Sequence, residues 1–129
     1  LEKEKILSKK NKFSIGVLGL AYKENTNSVK NSPTLHLLKK LRNIKIRIYD
    51  PKAKLEKKIK NCTEDKNVNF LIKNSNVIIL MTPWPEFNKI DKILKTKKNR
   101  KVILIDPHRI IDFKKIKNKY IKYFTLGKK

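Results

Sequence analysis

The stretch Phe13–Pro33, FSIGVLGLAYKENTNSVKNSP, constrains the fold more than any other. It begins with an apolar run, Phe13–Leu20, that reads as a buried central strand. Gly16 and Gly19 within it allow another backbone or a ligand to come close. Residues 21–31 are loop by composition and carry Lys23, Thr26, Ser28 and Lys30. Ser32-Pro33 has the sequence of a helix start, with a serine oxygen for the N-cap and a proline pre-set for the first helical position. Strand, glycines, polar loop and helix start, in that order, describe a phosphate- or nucleotide-facing corner of an α/β sheet.

The rest of the chain supplies the sheet. Leu35, Leu38 and Leu41 recur at helical spacing, with Lys39, Lys40 and Arg42 toward the end of the helix where they suit its dipole. Ile44, Ile46 and Ile48 alternate with Lys45, Arg47 and Tyr49, which predicts a strand with one wetter face, nearer an edge. Leu55 and Ile59 suggest a short helix, Cys62-Thr63 a brief strand, and Val68, Leu71 and Ile72 another helical segment. Asn76–Met81 and Val102–Ile105 read as buried strands, with a helical face at Ile90, Ile93 and Leu94 between them. A short helix near Ile110, Ile111 and Ile116 and a last strand, Ile121–Leu126, complete the pattern.

Strands alternating with helical faces predict an α/β fold, a doubly wound and mainly parallel sheet flanked by helices in a single domain. Ligands of such sheets sit beyond the carboxyl ends of the strands. Those ends are Ala21-Tyr22-Lys23, Tyr49-Asp50-Pro51, Thr82-Pro83-Trp84 and Asp106-Pro107-His108-Arg109. Asp50 is expected to cap or turn its strand end.

At 129 residues the chain is long enough for one domain with a real core. Residues 1–12 read as a basic lead-in or linker and residues 13–129 as the folded domain. The lead-in is charged and does not begin with Met, so the chain reads as a piece of a longer protein. No apolar run approaches the roughly 20 residues of a membrane span. The net charge of +23 invites a nucleic-acid reading, but 30 of the 34 basic residues are lysines scattered through every segment. Phosphate- and base-reading surfaces favour the planar fork of arginine, which occurs only at 42, 47, 100 and 109. The single cysteine, Cys62, excludes an intrachain disulfide and a CxxC metal site, and His36 and His108 have no ligand-spaced partners. No metal site is expected.

Gly16, Gly19 and Asp50 mimic a dinucleotide fingerprint, and the match is poor. GxGxxG needs glycines two and then three apart at a tight strand–helix turn. Here two glycines stand three apart, and a loop of about ten residues separates them from the helix.

Taken together, G-V-L-G-L-A-Y-K-x-x-T, S-P before a leucine-rich helix, Y-D-P, VIILMT-x-W-x-E-F and ID-x-x-R-x-x-D resemble the C-terminal, UDP-binding domain of the UDP-glucose/GDP-mannose dehydrogenase family, over residues 13–127. The resemblance implies a Rossmann-like, nucleotide-sugar-binding domain of an NAD-dependent enzyme that oxidises the sugar C6 alcohol to a carboxylate. NAD and the catalytic cysteine would belong to other domains of the parent. This chain has neither GxGxxG nor a cysteine in a glycine-rich setting, so no cofactor and no catalytic residue are expected on it. By resemblance, Tyr22 and Lys23 meet the UDP, Arg109 contacts the nucleotide sugar, and the loop Thr26 fixes the loop or binds the ligand. Trp84, Glu86 and Phe87 are read mainly as packing that shapes the rim, with Trp84 a minor ligand candidate. The family pattern has Asp after the loop Thr and Arg before Ser-Pro, where this chain has Asn27 and Lys30. A cytoplasmic, homo-oligomeric parent in polysaccharide biosynthesis, with a UDP-sugar (or GDP-sugar) substrate, is implied, with no nucleic-acid or membrane partner. Two other readings of the residues stand beside this one: a Rossmann-like interaction module without ligand, and a basic nucleic-acid-binding domain.

Overall fold

The computed structural model describes residues 14–21, 29, 32–96 and 101–125. Its elements follow in the order β1 (Ile15–Leu18), α1 (Pro33–Lys40), β2 (Ile46–Tyr49), β3 (Cys62–Glu64), α2 (Val68–Lys73), β4 (Val77–Leu80), α3 (Asp91–Lys95), β5 (Val102–Ile105) and β6 (Ile121–Phe124). Short 3-10 turns span Pro85–Ile90 and Phe113–Lys115. All strand pairs are parallel, in the order β3-β2-β1-β4-β5-β6. The chain therefore winds outward from β1 in one direction and then from β4 in the other. With right-handed crossovers, that reversal puts the connecting helices on opposite faces of the sheet. The expected doubly wound parallel sheet is the observed one.

Burial follows from that layering. All four residues of β1 are buried and β4 is nearly so, because both faces are covered. Away from the centre the cover thins: β2 and β5 alternate buried with half-buried residues, and β6 keeps only Ile121 buried. The core joins Val17, Leu18, Ile46, Ile48, Ile78, Leu80, Val102 and Leu104 of the sheet to Leu38, Leu71, Ile72 and Leu94 of the helices. Each such aliphatic side chain contributes about 1.5–3 kcal/mol when fully removed from water.

Gly16 serves packing. A Cβ there would lie 2.6 Å from Leu71 Cδ2, so the missing side chain lets α2 lie close against β1. The helix start at Ser32-Pro33 forms as the sequence predicts, with Ser32 Oγ accepting from the Thr34 amide at 3.1 Å. β2, predicted near an edge, is covered on its outer side by the three-residue strand β3.

The helix expected from Leu55 and Ile59 does not form; the segment 52–60 is irregular. Asp50 takes the first amides as an N-cap would, but the Leu55 amide goes to a side chain instead of to the carbonyl four residues back. Asp50 Oδ1 accepts from the Lys52 and Ala53 amides at 2.8 and 2.7 Å, and Glu64 Oε1 accepts from Leu55 at 3.0 Å. Leu55 and Ile59 still pack against the core, half-buried. The strand predicted over Phe13–Leu20 ends at Leu18, because the chain leaves the sheet at Gly19 with φ +111, and Phe13 lies outside the described residues. The strand predicted to run to Leu126 ends at Phe124. No described helix is long and apolar enough to cross a membrane.

Candidate functional site at the carboxyl edge of the sheet

The strand order reverses between β1 and β4, and their carboxyl ends meet at Gly19–Ala21 and Met81–Thr82. Six consecutive backbone groups in Gly19–Ala21 are satisfied within the protein. The Gly19 amide donates to Tyr49 O at 2.8 Å, and Thr34 Oγ1 donates to Gly19 O at 2.8 Å. The amides of Leu20 and Ala21 both donate to Asp50 Oδ2, at 2.7 and 2.9 Å. Ser32 Oγ donates to Leu20 O at 2.8 Å and Thr82 Oγ1 to Ala21 O at 3.0 Å. A buried segment outside a ladder needs such partners. Here they come from β2, from the start of α1 and from the end of β4.

Asp50 is the centre of this corner. Its carboxylate accepts five hydrogen bonds: from Leu20, Ala21, Lys52 and Ala53 amides and, at 3.0 Å, from Trp84 Nε1. Burial works to raise its pKa. The amides of Ala53, Ala21, Lys52 and Leu20 outweigh burial and hold the carboxyl below its ordinary value. Asp50 does turn its strand end, as the sequence suggests, and it also fastens the tails of β1 and β4 to it. Trp84 is buried and its ring N–H is committed to Asp50, which makes it a structural member of the rim. Phe87 is fully buried beneath Tyr49, ring centroids 6.3 Å apart. Tyr49 donates to Glu86 Oε2 at 2.9 Å, and burial together with that bond pushes its hydroxyl up to about 12.

The same geometry argues against a dinucleotide at this corner. A pyrophosphate needs free amides at the turn and room above it. The Leu20 and Ala21 amides are held by the carboxylate that a dinucleotide fold would offer to a ribose. A Cβ at Gly19 would lie 2.5 Å from Thr82 Cβ and Oγ1, so the residue just past β4 packs directly on the Gly19 backbone.

The second half of the rim is the turn after β5. Asp106 is fully buried; its Oδ1 accepts from the Ile110 amide at 3.0 Å and its Oδ2 from Ile111 at 2.8 Å. From β6, Tyr123 donates to Asp106 Oδ2 at 2.8 Å and Thr125 Oγ1 to Asp106 O at 2.6 Å. His108 Nε2, as its protonated nitrogen, donates to Met81 O at 3.3 Å and so ties the turn to the end of β4. Arg109 stands on this turn, exposed, with a left-handed backbone at φ 53.

Of the residues singled out for the ligand, Arg109 is thus placed at the carboxyl edge. Tyr22, Lys23 and Thr26 lie outside the described residues, as do Asn27 and Lys30. Tyr123, Thr125, Thr34 and the full role of Asp50 were not found by sequence reasoning. The paired Asp-Pro steps at 50–51 and 106–107, each closing a strand, were the available signal. Among the described residues, no group of three or more His, Cys, Asp or Glu side chains could hold a metal ion. A cleft of about 370 Å³ opens beside the ends of β2 and β3, lined by Tyr49, Lys54, Asp65 and Lys66 among others. A wider one of about 590 Å³ lies against α2. Arg109 lines neither.

The strand order and the tied-down switch point define a Rossmann-like domain whose Leu20 and Ala21 amides are already paired and whose rim carries an arginine. Comparison with known proteins places it more narrowly. The chain belongs to the UDP-glucose/GDP-mannose dehydrogenase family: the model of that family's UDP binding domain matches residues 16–113. It is 31% identical over 124 residues to a UDP-glucose 6-dehydrogenase of Rickettsia conorii, covering 90% of this chain and 28% of that protein. It is 34% identical over 110 residues to a UDP-N-acetyl-D-mannosamine dehydrogenase of Pyrococcus horikoshii, covering 84% of this chain and 24% of that one. The solved structure of the UDP-D-ManNAc dehydrogenase from Pyrococcus horikoshii superposes with a TM-score of 0.67 at 26% identity, over 97% of this chain and 29% of that chain. An NDP-N-acetyl-D-galactosaminuronic acid dehydrogenase from Methanosarcina mazei shares the fold with a TM-score of 0.75 at 15% identity, over 90% of this chain and 25% of that chain. The chain thus spans between about a quarter and a third of the length of these relatives.

Proposed function

We propose that this chain is the nucleotide-sugar-binding domain of an NAD-dependent UDP-sugar 6-dehydrogenase, with oxidation carried out on other domains of the parent protein. Its part is to neutralise and orient the substrate diphosphate, which is positioning rather than bond-making. The observation that carries the reading is the placement of Arg109. It stands on a turn fastened to both β4 and β6, at the edge of the sheet where Ala21 leads into Tyr22-Lys23.

Arg109 can grip phosphate or ribose oxygens with paired donors, and Lys23 adds a point cation. The Tyr22 ring packs on a base or ribose, and Thr26 holds the loop or the ligand by its hydroxyl. The net charge of +23 raises the local concentration of an anionic substrate. NAD, a cytoplasmic setting and an oligomeric parent belong to the same proposal. The family match favours neither a ligand-free module nor a nucleic-acid-binding domain.

Calorimetry of the chain with UDP and with UDP-glucose tests it. Weak binding is expected, reduced about tenfold or more by Lys23→Ala or Arg109→Ala, as for the loss of a hydrogen bond between charged groups. Absence of heat with either ligand at millimolar concentration would overturn a binding site built by this chain.

A further inference from the structure

Arg109 has a Cβ and yet sits at φ 53. Residues other than glycine hold that conformation where their surroundings over-determine it. The surroundings can be named. The Arg109 amide donates to Asp106 O at 3.2 Å, and the next two amides, Ile110 and Ile111, donate to the Asp106 carboxylate. One buried aspartate therefore shapes the whole turn, but its own rotamer needs support. That support comes from the neighbouring edge strand, where the Tyr123 hydroxyl reaches Asp106 Oδ2 at 2.8 Å. The Tyr123 ring is stacked on Phe113, centroids 4.9 Å apart at 10°, which sets where the hydroxyl points.

We propose that Tyr123 is a positioning residue for nucleotide-sugar binding: through Asp106 it holds the turn in the shape that presents Arg109 to the substrate diphosphate. The inference rests on the reading of Arg109 given above. It assigns edge strand β6 a task that the paired strands alone do not require, since Tyr123→Phe keeps the ladder and the ring stack and removes one hydroxyl. The hydroxyl is suited to the task at any ordinary pH. Burial first, then the bond to Asp106, raises its pKa to about 12, so it remains a donor.

The test is a double-mutant cycle read by UDP calorimetry on the parent chain, Tyr123→Phe, Arg109→Ala and the double variant, with Arg109 Nε–Hε followed by NMR. Tyr123→Phe is expected to weaken UDP binding about three- to tenfold, the loss typical of one buried hydrogen bond. It should also shift the Arg109 side-chain resonance and weaken binding no further once Arg109 is alanine. A merely structural role would lower the melting temperature and leave the affinity of the folded protein unchanged, or act equally in both backgrounds. Either result, with Arg109→Ala still weakening UDP, would refute the role of Tyr123 alone. If the parent chain does not bind UDP, or Arg109→Ala binds it as well as the parent, the functional reading itself fails and this inference with it.

Discussion

Replacing Asp50 by asparagine keeps the shape of the side chain and removes its charge. Two groups of donors face the carboxylate. The amides of Leu20 and Ala21 with Trp84 Nε1 face Oδ2, and the Lys52 and Ala53 amides face Oδ1. Asparagine can offer an oxygen to only one group and must point its NH2 at the other. Leu20 and Ala21 are out of reach of water at 0% and 1% exposure, so the oxygen goes to them. The Lys52 amide can turn to solvent, whereas Ala53, 3% exposed, cannot. One buried amide left without an acceptor costs about 1–3 kcal/mol, and the remaining bonds lose their ionic component, so the total is about 2–4 kcal/mol. For a domain of this size that is a fall of roughly 6–15 °C in melting temperature.

Calorimetric or circular-dichroism melts of Asp50→Asn beside the parent measure it, and the pH dependence sharpens the test. The folded pKa of Asp50 lies below its ordinary 3.8. Its contribution is therefore fully present above that pH and is lost as pH falls through the lower folded value. The gap between parent and variant should stay constant from pH 7 to 5 and close only below pH 3.8. A variant that melts within 2–3 °C of the parent, or a gap that already narrows between pH 7 and 5, would refute the five-bond account.

Two further outcomes are expected. Gly19→Ala combines a positive φ of +111 with a Cβ driven against Thr82, and should destabilise by about 2 kcal/mol or more in a urea titration; an unchanged midpoint would mean that β1 and β4 do not approach as described. Ultraviolet titration should show Tyr49 and Tyr123 ionising near pH 12. Because both folded values lie above the ordinary 10.0, the stability they carry is intact below pH 10.0 and lost as pH rises through about 12, so alkaline unfolding should set in within that window.

The sequence by itself determined the sheet. Apolar runs such as Val77–Leu80 and Val102–Ile105, separated by helical faces, are local patterns, and a parallel α/β sheet is what such patterns can build. The start of α1 was equally local, since Ser32 and Pro33 act on the amides next to them. The ordered motifs were enough to reach the family. Leu55 and Ile59 show where local reading fails: their spacing is helical, but the Leu55 amide goes to the Glu64 carboxylate, nine residues on, instead of to the carbonyl four back.

Tertiary structure alone decided the rim. Asp50 receives donors from residues 30 positions before it and 34 after it. Tyr123 meets an aspartate 17 residues earlier, just past the end of the adjacent strand. No window of sequence holds both partners of such bonds; parallel strands bring their carboxyl ends together only after long crossovers. The acid that looked like half of a dinucleotide fingerprint thus became the clamp on the Leu20 and Ala21 amides. The turn that carries the arginine is tied through Asp106 to a tyrosine on the edge strand.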